Sequence, residues 1–399
     1  MEPSSMSTAR ISRSPDLLQL RMEGYEVRVS NAGLLEVGNV PFVRSDRTIS
    51  RGTIVSELNL QGDRTGPPGH HTVWFVGGVP CDAKGQQLDH VININSPVAT
   101  DKGQVSGVQF SSKPDTPYPS YYAKLTLYIN MIQGPAQRIA PTDTAQTYRE
   151  IVDDDDCSVF KYIDTGPGRS GIANLTETLN IPKVAIVGLG GTGSYVLDLI
   201  AKTPIREIHL FDGDVLYSHN AFRAPGAASL DLLRSSPKKV VYYQSVYENM
   251  RVGVVPHDCY ITEGNVDELM GMEFVFLCVD GDADKPAIVR ALEQYGTSFI
   301  DVGMDVQQVG DQLTGVMRTS ASVPERRKHI WERGGLDPIP GDKDLYDRDI
   351  QIADLNALNA SLAVIKWKKM AGLYVDLARE HTSVYCLNGN YLVNEDQHR

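Results

Sequence analysis

The stretch Lys183–Ile200, "KVAIVGLGGTGSYVLDLI", constrains this chain more than any other. An apolar run, Val184–Val187, ends in Gly188, Gly190, Gly191 and Gly193, and an amphipathic segment follows at once. The pattern predicts a strand, a tight turn and a helix. Glycines at G-x-G-x-x-G spacing let the backbone turn sharply and approach a phosphate, while the helix start directs free N–H groups and a positive dipole end at the anion. The motif alone serves a dinucleotide and ATP equally well, so it is a weak signal of which one binds.

The residues behind the turn separate the two. "REIHLFD" predicts a second strand with Asp212 at its end, where a carboxylate meets ribose hydroxyls. "DGDVLYSHNAFRAPG" adds Asp214, Asn220 and Arg223; "SSPKKVVYYQSVYENM" places Lys238 and Lys239 at the head of a helical segment; "FLCVDGDADKPAIVRAL" ends a later strand in Asp280. Singly these read as a surface salt bridge at Arg223, a solvated cation at Lys238 and a helix cap at Asp280. In one order behind one glycine turn they suit a triphosphate. Arg and Lys neutralise phosphate oxygens, and a strand-end carboxylate holds Mg²⁺ directly or through water. A nicotinamide site has little use for that set.

The wider organisation agrees. From Lys183 on, short apolar runs ("KVAIVG", "REIHLFD", "EFVFLCVD", "TSFIDVG") alternate with helical periodicity, which predicts an α/β, doubly wound, mainly parallel sheet covered on both faces. Residues 1–145 carry short alternating runs such as "YEVRVS" and "HTVWFVGG" and read as an α+β or strand-rich domain closed by a helix around "YYAKLTLYINMIQG". Residues 146–165, with the run Asp153–Asp156, read as a solvated linker, and residues 166–399 as the nucleotide-binding domain. Ile352, Leu355, Leu358, Leu362 and Ile365, at 3-4 spacing, predict a late amphipathic helix packed on the sheet.

Composition narrows the class. A net charge of −12 disfavours a broad nucleic-acid or anionic-membrane surface, and no apolar run has the ~20 residues a membrane helix needs. Cys81, Cys157, Cys259, Cys278 and Cys386 are five scattered thiols without Cys-x-x-Cys, which fits a reducing, cytoplasmic setting better than a disulfide framework. His70, His71, Cys81 and His90 gather in one segment, but at a spacing that matches no common zinc motif.

G-x-G-G-x-G, then Asp-x-Asp, Asn-x-x-Arg, Lys and a strand-end Asp resembles the pattern of the ThiF/MoeB/E1 superfamily, which activates ubiquitin-like proteins. The resemblance covers roughly residues 160–390. It implies ATP-dependent adenylation of the C-terminal carboxylate of a ubiquitin-like or sulfur-carrier protein, with pyrophosphate released. It also implies that Gly188, Gly190, Gly191 and Gly193 approach the nucleotide, that Asp212 holds the ribose, that Asn220, Arg223 and Lys238 bind phosphates, and that Asp280 holds Mg²⁺. The family works as a dimer and tends to supply an arginine from upstream of the first strand; Arg169 in "GPGRSGIANL" is the match. A homodimer is therefore expected.

Two departures follow. Without paired Cys-x-x-Cys motifs, structural zinc is not expected. No cysteine lies between Val279 and Tyr385, where an acyl-accepting thiol belongs; "RTSAS" offers Thr319, Ser320 and Ser322 in what reads as a polar loop. Adenylation alone, an oxygen ester there (Ser320 being the central candidate), or capture by Cys81, Cys386 or a partner's thiol all remain open. Fusion to an activating domain suggests an N-terminal carrier-like fold (E2-like or RWD-like) or a docking surface. The rival functions are a degenerate scaffold subunit, which would have lost phosphate-binding residues, and a nicotinamide-dependent oxidoreductase.

Overall fold

The computed structural model describes residues 11, 13–30, 33–62, 64–100, 103–149, 158–162, 164, 173–279, 284–332 and 350–395. The chain divides into two compact units, Met1–Glu177 and Thr178–Arg399.

The N-terminal unit is one antiparallel six-stranded sheet with helices α1 (Pro15–Met22) and α2 (Tyr121–Ile139). Its strands are β1 (Glu26–Val29), β2 (Leu34–Val43), β3 (Ile49–Glu57), β6 (Thr72–Val76), β7 (Ile92–Thr100) and β8 (Gly103–Ser111), in the order β1-β2-β3-β6-β8-β7; β4 (Leu60–Gln61) and β5 (Arg64–Thr65) form a small separate ribbon. β6 shows why the sheet has an inner face: Val73 and Phe75 alternate inward, and Phe75 meets Phe42 edge-on at 5.0 Å. The inner face packs on α2, which buries Leu125, Tyr128, Ile129, Ile132 and Ala136 at 3-4 spacing. The helix starts where expected, with the Ser120 hydroxyl accepting from Ala123 N, and runs on through Pro135 to Ile139. Past residue 145 the chain folds back onto this unit: Gln146 bridges to Tyr25, and Thr147 Oγ1 donates to Glu26 Oε1. The stretch read as a linker thus begins inside the compact body.

The C-terminal unit is an eight-stranded sheet with β9 (Lys183–Val187), β10 (Glu207–Phe211), β11 (Val254–His257), β12 (Phe274–Leu277), β13 (Ser298–Val309), β14 (Gln312–Ser322), β15 (Thr382–Cys386) and β16 (Tyr391–Glu395). The order β11-β10-β9-β12-β13-β14-β15-β16 makes the first five parallel and the last three antiparallel. β9 is the switch point from which the sheet is wound in both directions, so the expected doubly wound α/β architecture is present. β12, "FVFL", is buried at all four positions, as a central parallel strand covered on both faces must be. Helices α3 (Gly191–Ile200), α4 (Lys239–Tyr247), α5 (Lys285–Tyr295) and α6 (Ala353–Met370) cover it.

Helix α6 corrects the predicted register. Its most buried residues are Leu355, Asn356, Asn359, Ala360, Ala363, Val364 and Trp367, whereas Ile365 is exposed. The small alanines admit a close approach to the sheet and α3, and Trp367 fills the core against Phe276. Ile352 and Leu358 pack into a smaller cluster with Val306 and Met317 instead. The helix has two apolar sides, and the sequence stripe marked the lesser one.

Candidate nucleotide site

The site grows from the end of β9. Gly188 has φ +90°, and a Cβ there would lie 2.6 Å from the carbonyl oxygen of Cys278. A Cβ on Gly193 would collide with the Gly188 carbonyl, so this glycine lets α3 seat directly against the turn. Gly190 caps α3, and a Cβ on it would meet nothing, which leaves the first turn of the helix open to an incoming group.

Asp212 ties the turn to β10. Its Oδ2 accepts from Leu189 N at 2.7 Å and its Oδ1 from Asp214 N at 2.8 Å, so the buried carboxylate orients the glycine turn and the next loop together. A carboxylate accepts about four hydrogen bonds, which leaves capacity for a ribose hydroxyl.

The structure corrects the lysine. Lys238 Nζ faces outward, donating to Gly213 O at 2.8 Å and pairing with Asp258 at 2.9 Å. Lys239 faces the cavity, 3 % exposed, with Nζ 2.6 Å from Asp214 Oδ2 and 3.5 Å from Asp212 Oδ2. The reason is local: Val215 bridges to Lys238, Leu216 N donates to Pro237 O and Lys239 N to Asp214 O, so the approach to α4 is extended and neighbouring side chains alternate sides. The signal was available, since Lys239 and not Lys238 directly precedes the apolar residues that open the helix.

Arg223 lines the same cavity, and its Nε is buried without a hydrogen-bond partner. A guanidinium N–H left unpaired in a protein interior is costly unless a ligand completes it. Asn220 does not line the cavity. Its Oδ1 accepts from Tyr217 N at 2.9 Å and its carbonyl from Arg223 N at 3.1 Å. Its observed part is to fold the helical turn that presents Arg223, a different part from the phosphate contact expected of it.

These groups share a cavity of about 450 Å³ at the carboxyl ends of the parallel strands. The sequence reading gave no site role to Lys285, Asn359, Cys278 or Tyr260, which also line it. Behind the wall, Lys285 Nζ meets Asp301 Oδ1 at 2.6 Å and Arg318 meets Asp301 Oδ2 at 2.7 Å. Asp214 feels opposing forces: burial pushes its carboxyl up, but hydrogen bonds from Lys239 and Tyr260 and the charges of both lysines outweigh that and hold it below the ordinary range.

Arg169 and Asp280 lie outside the described residues. "RTSAS" is corrected. Thr319, Ser320 and Ser322 are buried inside β14, not in a loop, and Ser320 is 2 % exposed. Ser320 stands opposite Asp301 on β13 and Thr382 on β15, with its hydroxyl accepting from Arg318. Hydroxyls buried on a strand that is paired on both sides have no open path to an acyl group, so the oxygen-ester candidates Thr319, Ser320 and Ser322 are withdrawn. Among the described residues no cluster of three or more His, Cys, Asp or Glu side chains is placed to hold a metal ion, and no helix is long and apolar enough to cross a membrane.

With this geometry in place, comparison with known proteins finds likenesses in both parts of the chain. The model described as "ThiF family" matches residues 169–329. Residues 169–329 are thus similar to the ThiF family. The match runs from before β9 past the end of β14 and includes most of the residues that line the cavity. A second model, described as "Domain of unknown function (DUF6791)", matches residues 15–165. Among curated proteins, "Ubiquitin-like modifier-activating enzyme 5" of Rattus norvegicus is 26 % identical over 156 residues and that of Culex quinquefasciatus 24 % over 157; each alignment covers 36 % of this chain and 39 % of the relative. The chain thus spans about two fifths of the length of the curated relatives it matches. Among solved structures, E. coli MccB with MccA-N7isoASN aligns at TM-score 0.47 and 15 % identity over 77 % of this chain and 96 % of that one. PaaA aligns at TM-score 0.43 and 20 % identity over 56 % and 75 %.

Proposed function

We propose that the ThiF-family domain binds ATP with Mg²⁺ and adenylates the C-terminal carboxylate of a protein or peptide, with a ubiquitin-like or sulfur-carrier protein as substrate. The observation that carries this reading is the pairing of Arg223, with its buried unpartnered Nε, and Lys239 in one cavity with the glycine turn. The family and the activating-enzyme relatives support it.

The chemistry suits these residues. A carboxylate attacks the α-phosphate in line and carries its own charge, so the nucleophile needs no general base. What remains is to position the phosphates and neutralise the charge that develops on them and on departing pyrophosphate. Arg223, Lys239 and the N–H groups at the start of α3 supply that, and Asp212 orients the sugar. Mg²⁺ keeps several waters and needs only one or two protein carboxylates beside the phosphates; Asp280 is its proposed ligand. It would neutralise phosphate charge. We assign the protein to the cytoplasm as a homodimer, with Arg169 reaching the partner's nucleotide and an E2-like carrier as a further partner. The N-terminal unit would supply docking. Transfer onward from the adenylate falls to a thiol, in this chain or in a carrier.

Calorimetric titration with ATP and with NAD⁺ in the presence of Mg²⁺ tests the nucleotide class. ATP should bind and NAD⁺ should not, and Asp280→Ala should weaken Mg·ATP by at least about tenfold while leaving metal-free ATP unchanged. Preference for NAD⁺ would return the oxidoreductase reading.

A further inference from the structure

The order of the parallel strands also orders the nucleotide. Phosphates lie at the turn after β9, and the ribose carboxylate Asp212 follows β10, so the base must extend toward the loop that leaves β11, the next strand outward. That loop presents Tyr260.

Tyr260 is 58 % exposed and forms part of the cavity wall with Ile261 and Thr262. A large aromatic ring left that open is usually mobile, but this one is held from three sides. Its carbonyl accepts from Asn265 Nδ2 at 3.0 Å, and Asn265 Oδ1 accepts from Thr262 N at 2.7 Å, which clamps the loop. Ile261 is buried in the core beneath it. The Tyr260 hydroxyl donates to Asp214 Oδ1, while Asp214 Oδ2 accepts from Lys239 Nζ. The ring lies so close over Gly213 that a Cβ there would fall 2.7 Å from it. The Asp214 carboxylate pushes the phenol up to about 12, so the O–H stays a donor at neutral pH.

An exposed ring that has already lost its rotamer freedom is a binding surface whose ordering cost is met before the ligand arrives. We propose that Tyr260 is the platform on which the base of the nucleotide stacks, fixed in place through Asp214 beside the phosphate-binding Lys239. The assignment rests on the nucleotide reading of the cavity and adds a specificity-determining residue to it. Stacking accepts any base, so Tyr260 favours nucleotides over bare polyphosphates and leaves the choice of base to other wall groups.

The test separates base from phosphate. Mg·ATP and Mg·tripolyphosphate are titrated into wild type, Tyr260→Ala, Tyr260→Phe and Tyr260→Trp. Tyr260→Ala should lose ATP affinity by about tenfold or more and keep its tripolyphosphate affinity; Phe and Trp should hold ATP within about threefold of wild type. Unchanged ATP binding by Tyr260→Ala, or equal losses for both ligands, overturns the platform and leaves the nucleotide reading standing. A wild-type protein that binds neither ligand overturns both.

Discussion

Both units bury lysines, and Lys124 and Lys239 show two opposite uses of a buried cation. Lys124, on α2 of the N-terminal unit, is 1 % exposed; its Nζ donates to Ser56 Oγ at 2.9 Å and sits 5.9 Å from the Tyr121 ring centre. Among the described residues no carboxylate forms an ion pair with it, and burial pulls it down to about 8. Lys239, in the C-terminal unit, is 3 % exposed but pairs with Asp212 and Asp214 and faces a cavity. A buried cation with carboxylates and open space in front of it is arranged for a ligand. A buried cation packed against a hydroxyl and a ring is a cost that the surrounding core offsets. Burial alone does not separate a site from a core; partners and space do.

The largest effect that would break this comparison is at Lys239. Lys239→Gln should reduce ATP–pyrophosphate exchange by about a hundredfold or more, since it removes a charge held for the phosphates. The neighbouring Lys238→Gln should change it by less than about threefold. Asp212 keeps its bonds from Leu189 and Asp214, so the fold should survive the Lys239 change, and far-UV circular dichroism would check that. Equal losses at both lysines would mean that the alternation of sides is not what selects Lys239.

A smaller effect sharpens the other half. Lys124 titrates near 8 when folded, against 10.5 for the ordinary side chain. Between those values the unfolded chain holds a proton the folded one has released, so stability rises as pH increases through that window; below about 8 both forms are protonated and the penalty is constant. The full window corresponds to about 3 kcal/mol, of which roughly 2 falls between pH 8 and 9.5. Lys124→Met should raise the stability of the N-terminal unit at pH 7 and remove this rise. Denaturant unfolding at pH 7, 8 and 9.5 measures both. An identical pH dependence in wild type and variant would mean that Lys124 is solvated.

How far the sequence was legible follows from the same physics. The parallel sheet was readable because continuous apolar runs such as "FVFL" have one structural use, and the glycine turn because Gly188 and Gly193 occupy positions no side chain fits. Lys238 was read for Lys239 because two adjacent lysines carry identical composition signals; the position of Lys239 directly before the apolar helix start favoured it, and the bridge from Val215 to Lys238 fixes which one faces inward. "RTSAS" was read as a loop because small hydroxyl residues look polar, yet β14 lies between β13 and β15 and satisfies their backbone from both sides. Tyr260 carried no local signal at all: its role comes from Asp214, 46 positions away, and from the place of β11 in the sheet.

The most direct test of the central claim is pyrophosphate exchange by the wild-type protein. Labelled pyrophosphate, ATP and Mg²⁺ are incubated with purified ubiquitin-like and sulfur-carrier proteins, each presented with a free and with an amidated C-terminus. The account predicts label in ATP only with a cognate carrier whose terminal carboxylate is free, and loss of that label in Lys239→Gln. Exchange that persists with the amidated carrier, or a protein that binds NAD⁺ in preference to ATP, would contradict it.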